Sequence, residues 1–397
     1  MTAAQVFSYS DRTTVPSETL TRVAPFLVDF GVTRVARHTG LDRIGIPVWC
    51  AYSPNARSIV VAQGKGLSDD DAKVSAVMEA LERAVAGNPS VNTVQASARH
   101  LQESGYRVEK LNCLIGRHKN DIGNDEEIEW ALGRELLSGT EIYVPFEAAI
   151  LDRTRDCRFW MSSDGLASGN TLEEAMLHGI LERIERDAYV LWQIGNDRDR
   201  HSRCIDPRGL QDAALDQLIE KIETAGLVLR LFDMMSDIAV PCFTAILGPG
   251  DIHDDANVRF VEVTAGSGAH PSPVRAAIRA VTEAAQSRLT YISGARDDIL
   301  PETFLAPLPL QTRTLFQAVP AMPATIAPAY PQSLAQHLDY TLSALREKQI
   351  DQVIVLALSD PALPFSVAKI FIPALENPEG GRARRFGNRA VSKAIMS

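Results

Sequence analysis

Three stretches of this chain place polar residues on one side of an otherwise apolar helix, and all three do so in the same register. In the middle copy, GLASGNTLEEAMLHGILERIERDAYVLWQ (165–193), the small residues Gly165, Ala167, Ser168 and Gly169 lead to a helix start at Thr171. Glu174 follows three residues later, the pattern of a capping box. Leu172, Ala175, Leu177, Ile180, Leu181, Ile184 and Ala188 make nearly every face of this helix apolar, but His178, Glu182 and Glu185 at i, i+4 and i+7 share one stripe. The first copy starts at Ser68 and puts Ser75, Glu79 and Glu82 at the same positions. The third starts at Ser272, has Pro273 at its first helical position, and carries Arg279, Glu283 and Gln286. The spacing from helix cap to first glutamate repeats as Ser68–Glu79, Thr171–Glu182 and Ser272–Glu283. Each helix follows a glycine-rich stretch read as a turn: Gly64-Lys65-Gly66, 165–169, and Gly266-Ser267-Gly268. A strand is expected before each turn, at 58–62, 157–162 and 258–264.

Two carboxylates one turn apart on a buried helix repel each other and lose hydration. Either their pKa values rise or a cation holds them ionised. A single Glu-x-x-Glu is commonly a solvated helix face. Three copies in register on apolar helices instead point to one shared, oxygen-lined site.

Composition narrows the class. A 397-residue chain with 45% hydrophobic and 23% charged residues has ample material for a core, and its formal net charge of −10 argues against a general nucleic-acid or anionic-membrane binder. No apolar run reaches the ~18 residues of a membrane-spanning helix, and MTAAQVFSYSDRTT lacks a basic-then-apolar signal. The five cysteines are scattered and never spaced Cys-x-x-Cys, and the eight histidines show no His-Glu-x-x-His, so neither a disulfide framework nor a zinc signature is present. A cytoplasmic location is expected.

Along the chain, residues 17–30 read as a helix, with short strands at 32–36 and 47–52. Strands are expected at 128–132, 141–144, 228–232, 243–247, 353–358 and 368–372, and helices at 207–225 and 333–348. Residues 198–203 read as a loop and 300–332 as an irregular wrapping segment. The tail at 380–397, with Arg382, Arg384, Arg385, Arg389 and Lys393, reads as a mobile basic extension. The fold class expected is one mixed α/β body: an N-terminal segment (1–56), a catalytic region (57–378) and the tail (379–397).

Hard cations with oxygen ligands are magnesium and calcium, and magnesium completes its shell with phosphate oxygens and water. Lys65, Arg83, Arg186, Arg279 and Arg288 lie beside the acids. Free N–H groups at helix N-termini favour anions. Acids for a metal with cations for phosphates make the inventory a nucleoside triphosphate needs. Gly-x4-Gly-Lys-Ser/Thr, Gly-x-Gly-x-x-Gly and His-Arg-Asp signatures are absent, as is a Gly-x-Ser-x-Gly elbow. Arg83 and Arg186 serve equally well as structural partners of neighbouring acids, and His178 as a packed core histidine.

The segments GLDRIGIPVW (40–49), GKG (64–66) with SAVMEALER (75–83), GLASGNTLEEAMLHGILERIERDA (165–188), RAAIRAVTEAAQSRL (275–289) and VAKIFIPALENP (367–378) together resemble the YcaO family, over about residues 30–378. The resemblance implies a YcaO-type fold whose three units converge on a nucleotide site unlike those of kinases and P-loop proteins. It implies ATP and magnesium, with Glu79, Glu82, Glu182, Glu185 and Glu283 on the metal side and Lys65, Ser75, His178, Arg186, Arg279, Gln286 and Arg288 lining the nucleotide. It further implies ATP-dependent activation of a peptide-backbone amide, giving an azoline with a neighbouring side-chain nucleophile or a thioamide with a sulfide equivalent. Azoline-forming members often end in Pro-x-Pro-x-Pro, whereas this chain ends NRAVSKAIMS. The chain looks like stand-alone members that work with a TfuA partner, so thioamidation is the favoured expectation. Azoline formation and a non-catalytic ATP-binding scaffold are the alternatives. The partners implied are a peptide or protein substrate and a TfuA-like or leader-peptide-binding protein, with a homodimer possible.

Overall fold

Short segments near the N-terminus pair into a small antiparallel sheet, one of three in the chain. The computed structural model describes residues 9, 11–253, 255, 257–320, 333–377 and 386–396. After α1 (Pro16–Val23) come β1 (Arg34–Arg37), β2 (Val48–Tyr52) and β3 (Val61–Lys65), an antiparallel three-stranded sheet in the order β1-β2-β3, followed by α2 (Asp69–Gly87). The chain continues through β4 (Thr93–Ser97), α3 (Ala98–Glu103), β5 (Glu127–Glu135), β6 (Glu141–Pro145), β7 (Leu166–Gly169) and α4 (Leu172–Ile194). Then follow α5 (Asp197–Ser202), β8 (Cys204–Ile205), α6 (Ala213–Thr224), β9 (Leu227–Asp233), β10 (Cys242–Pro249), β11 (Thr264–Ala269) and α7 (Pro273–Ser293). The last described elements are α8 (Leu310–Leu315), α9 (Leu334–Glu347), β12 (Ile354–Ala357), β13 (Ser366–Phe371) and α10 (Asn388–Met396). A second sheet runs β4-β5-β12-β13-β7 with β6 paired to β5, and a third runs β11-β10-β9-β8.

The glycine-rich stretches lie largely inside strands, which corrects the expectation of strands at 58–62, 157–162 and 258–264. The strands that feed the three stripe helices are β3, β7 and β11, made of the small residues themselves. Residues 157–162 contribute only the isolated bridge Ile115–Phe159, and Phe260–Glu262 is a single 3-10 turn. The reason is the close approach of helix to strand. A Cβ on Gly64 would sit 2.1 Å from Ala72 O and Ala76 N, and one on Gly266 would sit 2.2 Å from Ala284 N. Only residues without a Cβ let each helix backbone lie directly on its strand. Gly165, at φ +76°, does serve a turn.

Packing then brings the stripes together. α2 packs on β3 and β7, α4 on β7, β11 and β13, and α7 on β11, β10 and β3. Ile180, Leu181 and Ile184 of α4 are buried with Leu345, Val353 and Ile370 in one apolar cluster.

Smaller expectations also shift. Ser68 and Asp71 do form a capping box. Thr171 caps α4 by accepting from Glu174 N–H, but the Glu174 carboxylate accepts from Asn170 N–H at 2.9 Å and Thr13 Oγ1 at 2.7 Å instead of closing the box. The helix expected over 17–30 breaks into α1 and the 3-10 turn Ala24–Phe26, and 207–225 into the 3-10 turn Pro207–Leu210 and α6. The stretch 198–203 is largely the helix α5, and 300–320 contains the 3-10 turn Pro301–Phe304 and α8, while 321–332 lies outside the described residues. The tail expected to be mobile holds α10, docked by Arg389 on the fully buried Asp187 of α4 with Nε and Nη2 each 2.9 Å from a carboxylate oxygen. Arg382, Arg384 and Arg385 lie outside the described residues.

Candidate active site

The stripe carboxylates meet across the three units, and Glu182 and Glu185 share one guanidinium. Glu79 accepts from Gln63 N–H at 3.0 Å and from Arg83 at 2.9 Å. Glu82, nearly buried, accepts from Ser168 Oγ of β7 at 3.0 Å. Glu182 accepts from Gly165 N–H at 2.9 Å and lies 3.4 Å from Arg186. Glu185 is 3.5 Å from the same guanidinium. Glu283 of α7 pairs with Lys65 of β3 at 2.6 Å, so the first and third units are joined by an ion pair.

Electrostatics follow from burial without enough cations. Burial, the neighbouring Glu79 and Glu182 push the Glu82 carboxyl up to about 8, against the pull of Arg83. Burial and then Glu283 and Glu182 push Glu185 up to about 7, against Arg186 and Arg279. Burial likewise raises Glu182, with Asp164 adding to it and Arg186 opposing. Burial acts the same way on Glu283, but Lys65 and Arg186 outweigh it and hold that carboxyl below its ordinary value. A site in which several acids are destabilised as anions fits a divalent cation.

Of the nucleotide-lining candidates, Lys65, Arg186 and Arg279 stand close enough to these acids to shift their charge, whereas Arg288 pairs with Asp42. Burial, helped by Arg279, Arg12 and Lys65, pulls His178 well below its ordinary pKa; the neutral ring accepts from Arg279 Nη2 at Nδ1, 3.1 Å away. Ser75 stands half-buried one turn before Glu79 on α2. Arg288 Nε forms an ion pair with Asp42 Oδ2 at 3.5 Å, and neither buried atom makes a hydrogen bond among the described residues. Gln286 Oε1 and Arg186 Nε are buried without a hydrogen-bond partner as well. Unsatisfied buried polar atoms are costly, and their concentration here fits a polar ligand such as a nucleotide with its cation.

Sequence reasoning missed four contributors. Asp42 stands within GLDRIGIP and Asp164 directly before Gly165, yet neither belongs to the helical stripe. Asp164 is held down to about 2: burial opposes its charge, while Arg183, Arg186, Ser162 and Lys369 favour it. Asp11 and Arg12 come from a stretch with no periodicity. Arg12 donates to Ser168 O at 3.1 Å and pairs with Glu174. Asp11 meets two buried histidines, His270 Nε2 at 2.7 Å and His337 Nδ1 at 3.0 Å, and also Arg275. These ligand atoms lie within 4.8 Å of one another. The set does not suit a metal: Ser272 N–H already donates to His270 Nδ1 at 2.8 Å, so a metal on Nε2 would require a ring stripped of both protons. The group is a hydrogen-bonded clamp that holds the N-terminal segment on the third unit.

Comparison with known proteins agrees with this geometry. The profile of the family described as YcaO cyclodehydratase, ATP- and Mg2+-binding, matches residues 63–376. An uncharacterized protein encoded in the tfuA 3′ region of Rhizobium leguminosarum bv. trifolii is 38% identical over 98% of this chain and 94% of its own length. An uncharacterized protein of Methanothermobacter thermautotrophicus is 33% identical over 91% of this chain and 94% of its own. Among solved structures, YcaO from Methanopyrus kandleri bound with AMPPCP and Mg2+ superposes with a TM-score of 0.74 at 20% identity, covering 96% of this chain and 98% of that one. A heterocyclase in complex with substrate and cofactor gives 0.75 at 20% identity, covering 92% of this chain and 53% of that longer one. With the family profile spanning the three stripes and the fold shared end to end, this chain belongs to the YcaO family of ATP- and magnesium-binding proteins.

Proposed function

We propose that this protein activates a peptide or protein backbone amide at the expense of ATP and converts it to a thioamide, with sulfur supplied by a TfuA-like partner. The observation that carries the choice of product is the 38% identical relative whose gene lies beside tfuA. The family profile and the buried glutamate stripes support ATP-driven amide chemistry in general.

An amide carbon is a poor electrophile and its oxygen a very poor leaving group; ATP with magnesium supplies the phosphoryl group that turns that oxygen into phosphate. The balance is amide, hydrosulfide and ATP4− giving thioamide, ADP3− and HPO4 2−, with the amide oxygen leaving in phosphate. In this reading Glu79, Glu82, Glu182, Glu185 and Glu283 hold the cation. Lys65, Ser75, His178, Arg186, Arg279, Gln286 and Arg288 hold and orient the nucleotide. Lys65 and Arg186, already against carboxylates, keep part of the negative charge neutralised before ligands arrive. The neutral His178 keeps its proton on Nε2, because Nδ1 accepts from Arg279, and offers a donor without adding charge.

The test is intact-mass analysis of peptides encoded beside the gene, incubated with the protein, its TfuA-like partner, ATP, magnesium and sulfide. Exchange of oxygen for sulfur raises the peptide mass. Loss of one water instead identifies an azoline, the product that the family description favours. ATP binding without turnover under any of these conditions leaves only the scaffold role.

A further inference from the structure

The polar stripe of α4 does not end at Glu185. His178, Glu182, Glu185, Tyr189 and Trp192 stand at i, i+4, i+7, i+11 and i+14 of one continuous helix, and so share about 80° of arc. From the helical rise, Tyr189 lies roughly 6 Å beyond Glu185 along the axis and roughly 16 Å beyond His178. The face thus changes along its length: an imidazole, two carboxylates, then two aromatic rings. Ala188 and Val190 on either side are buried, whereas Tyr189 and Trp192 are half-buried.

Tyr189 is held in place, but its proton is not used. Gln193 Nε2 donates to the phenol oxygen at 2.7 Å, and the phenol O–H meets no acceptor among the described residues. Trp192 stands against the Tyr189 ring with centroids 6.2 Å apart, and Phe232 backs Trp192 at 5.6 Å. The Arg200 guanidinium lies 5.9 Å over the Trp192 ring and is paired with Asp197. Burial pushes the phenol above its ordinary pKa, against Arg186 and Arg200, so near neutral pH it is an uncharged donor. The cations assigned to the nucleotide gather at the other end of the stripe. Arg279 donates to His178 at 3.1 Å, and Lys65 acts on the same ring.

We infer that Tyr189 is a substrate-side residue of this site: its phenol donates to the carbonyl oxygen of the peptide amide being activated, and Trp192 walls the space beside it. The inference rests on the amide-activation reading above, but not on whether the product is a thioamide or an azoline. Its basis is order along one helix face. The nucleotide cations stand at the His178 end and the cation-holding acids come next, which leaves the Tyr189 end for the peptide. Addition of a nucleophile leaves negative charge on the amide oxygen. A fixed neutral donor there stabilises that state more than it stabilises the uncharged amide. The phenol keeps its proton throughout, and it adds no charge that would draw phosphate away from the stripe.

Tyr189→Phe in the full chain removes the hydroxyl alone. With a peptide encoded beside the gene, the TfuA-like partner, ATP, magnesium and sulfide, kcat should fall by about 100- to 1,000-fold, the cost of losing one donor at a developing oxyanion. Calorimetry with magnesium and a non-hydrolysable ATP analogue should give the natural chain's dissociation constant. Trp192→Phe, a second variant that keeps the phenol in case the first folds poorly, should weaken binding of the same peptide, fluorescein-labelled and read by anisotropy without turnover, several-fold. An unchanged kcat in a folded Tyr189→Phe chain overturns the inference while the proposed function stands. So does a nucleotide dissociation constant that rises as far as kcat falls, because it places Tyr189 at the nucleotide. Unchanged peptide binding in a folded Trp192→Phe chain overturns the wall. If the natural chain modifies no peptide and no peptide stimulates its ATP turnover, the functional reading itself fails and this assignment with it.

Discussion

Replacing Glu82 by Gln keeps the shape of the side chain and an oxygen that can accept from Ser168 Oγ, but removes a carboxyl that burial, Glu79 and Glu182 push from 4.5 up to about 8. Between those values the folded chain holds a proton that the unfolded chain has lost, so stability falls as pH rises, by about 1.4 kcal/mol per pH unit from this group. Over the whole interval the loss reaches an upper bound of about 5 kcal/mol. Urea unfolding in EDTA from pH 5 to pH 8 should therefore show Glu82→Gln becoming steadily more stable than the natural chain as pH rises. The difference curve reports Glu82 together with its charge interactions with Glu79 and Glu182, while Glu185 titrates in both chains. Magnesium with a non-hydrolysable ATP analogue should reverse the order at pH 8, because a cation makes the ionised carboxylate an asset. If Glu82→Gln is the less stable protein at pH 8 in EDTA, the carboxylate is structurally paired and the buried-acid argument is wrong.

Glu182→Ala should cut ATP turnover by more than the roughly 10–100-fold typical of changes outside a metal's direct ligands, with a native circular dichroism spectrum; a variant that merely unfolds would make the stripe structural. Arg389→Ala should cost about 3–5 kcal/mol in urea unfolding by stranding the buried Asp187, and Asp187→Asn in the same chain should recover part of it. An Arg389→Ala chain as stable as the natural one would mean α10 does not anchor α4. Gly266→Ala should cost about 1–3 kcal/mol or prevent folding, since the added Cβ meets the backbone of α7 at 2.2 Å. Normal melting of that variant would refute the close-approach account of the glycines.

The three stripe helices, the capping side chains Ser68 and Thr171 and the common register of the acids were readable because helical periodicity and capping are local; Ser272 takes the third cap position but makes no cap hydrogen bond. The strand positions were misread for a local reason too. Gly64-Lys65-Gly66 and Gly266-Ser267-Gly268 look like turns in isolation, and only the helix lying across them explains why glycine is needed in a strand. The family segments left out Asp11, Arg12 and Asp164, and they included Asp42 only as an unassigned residue of GLDRIGIPVW, outside any helical stripe.

The sequence alone thus determined which helices would carry paired acids on one face, since side-chain spacing along a helix needs no partner. Tertiary structure decided which acids lie together, that Lys65 reaches Glu283, that Asp11 joins His270 and His337, and that Arg389 neutralises Asp187. Those pairings join residues far apart in the chain, and the free energy that selects them, charge compensation in a low-dielectric interior, exists only once the sheets and helices have closed around them.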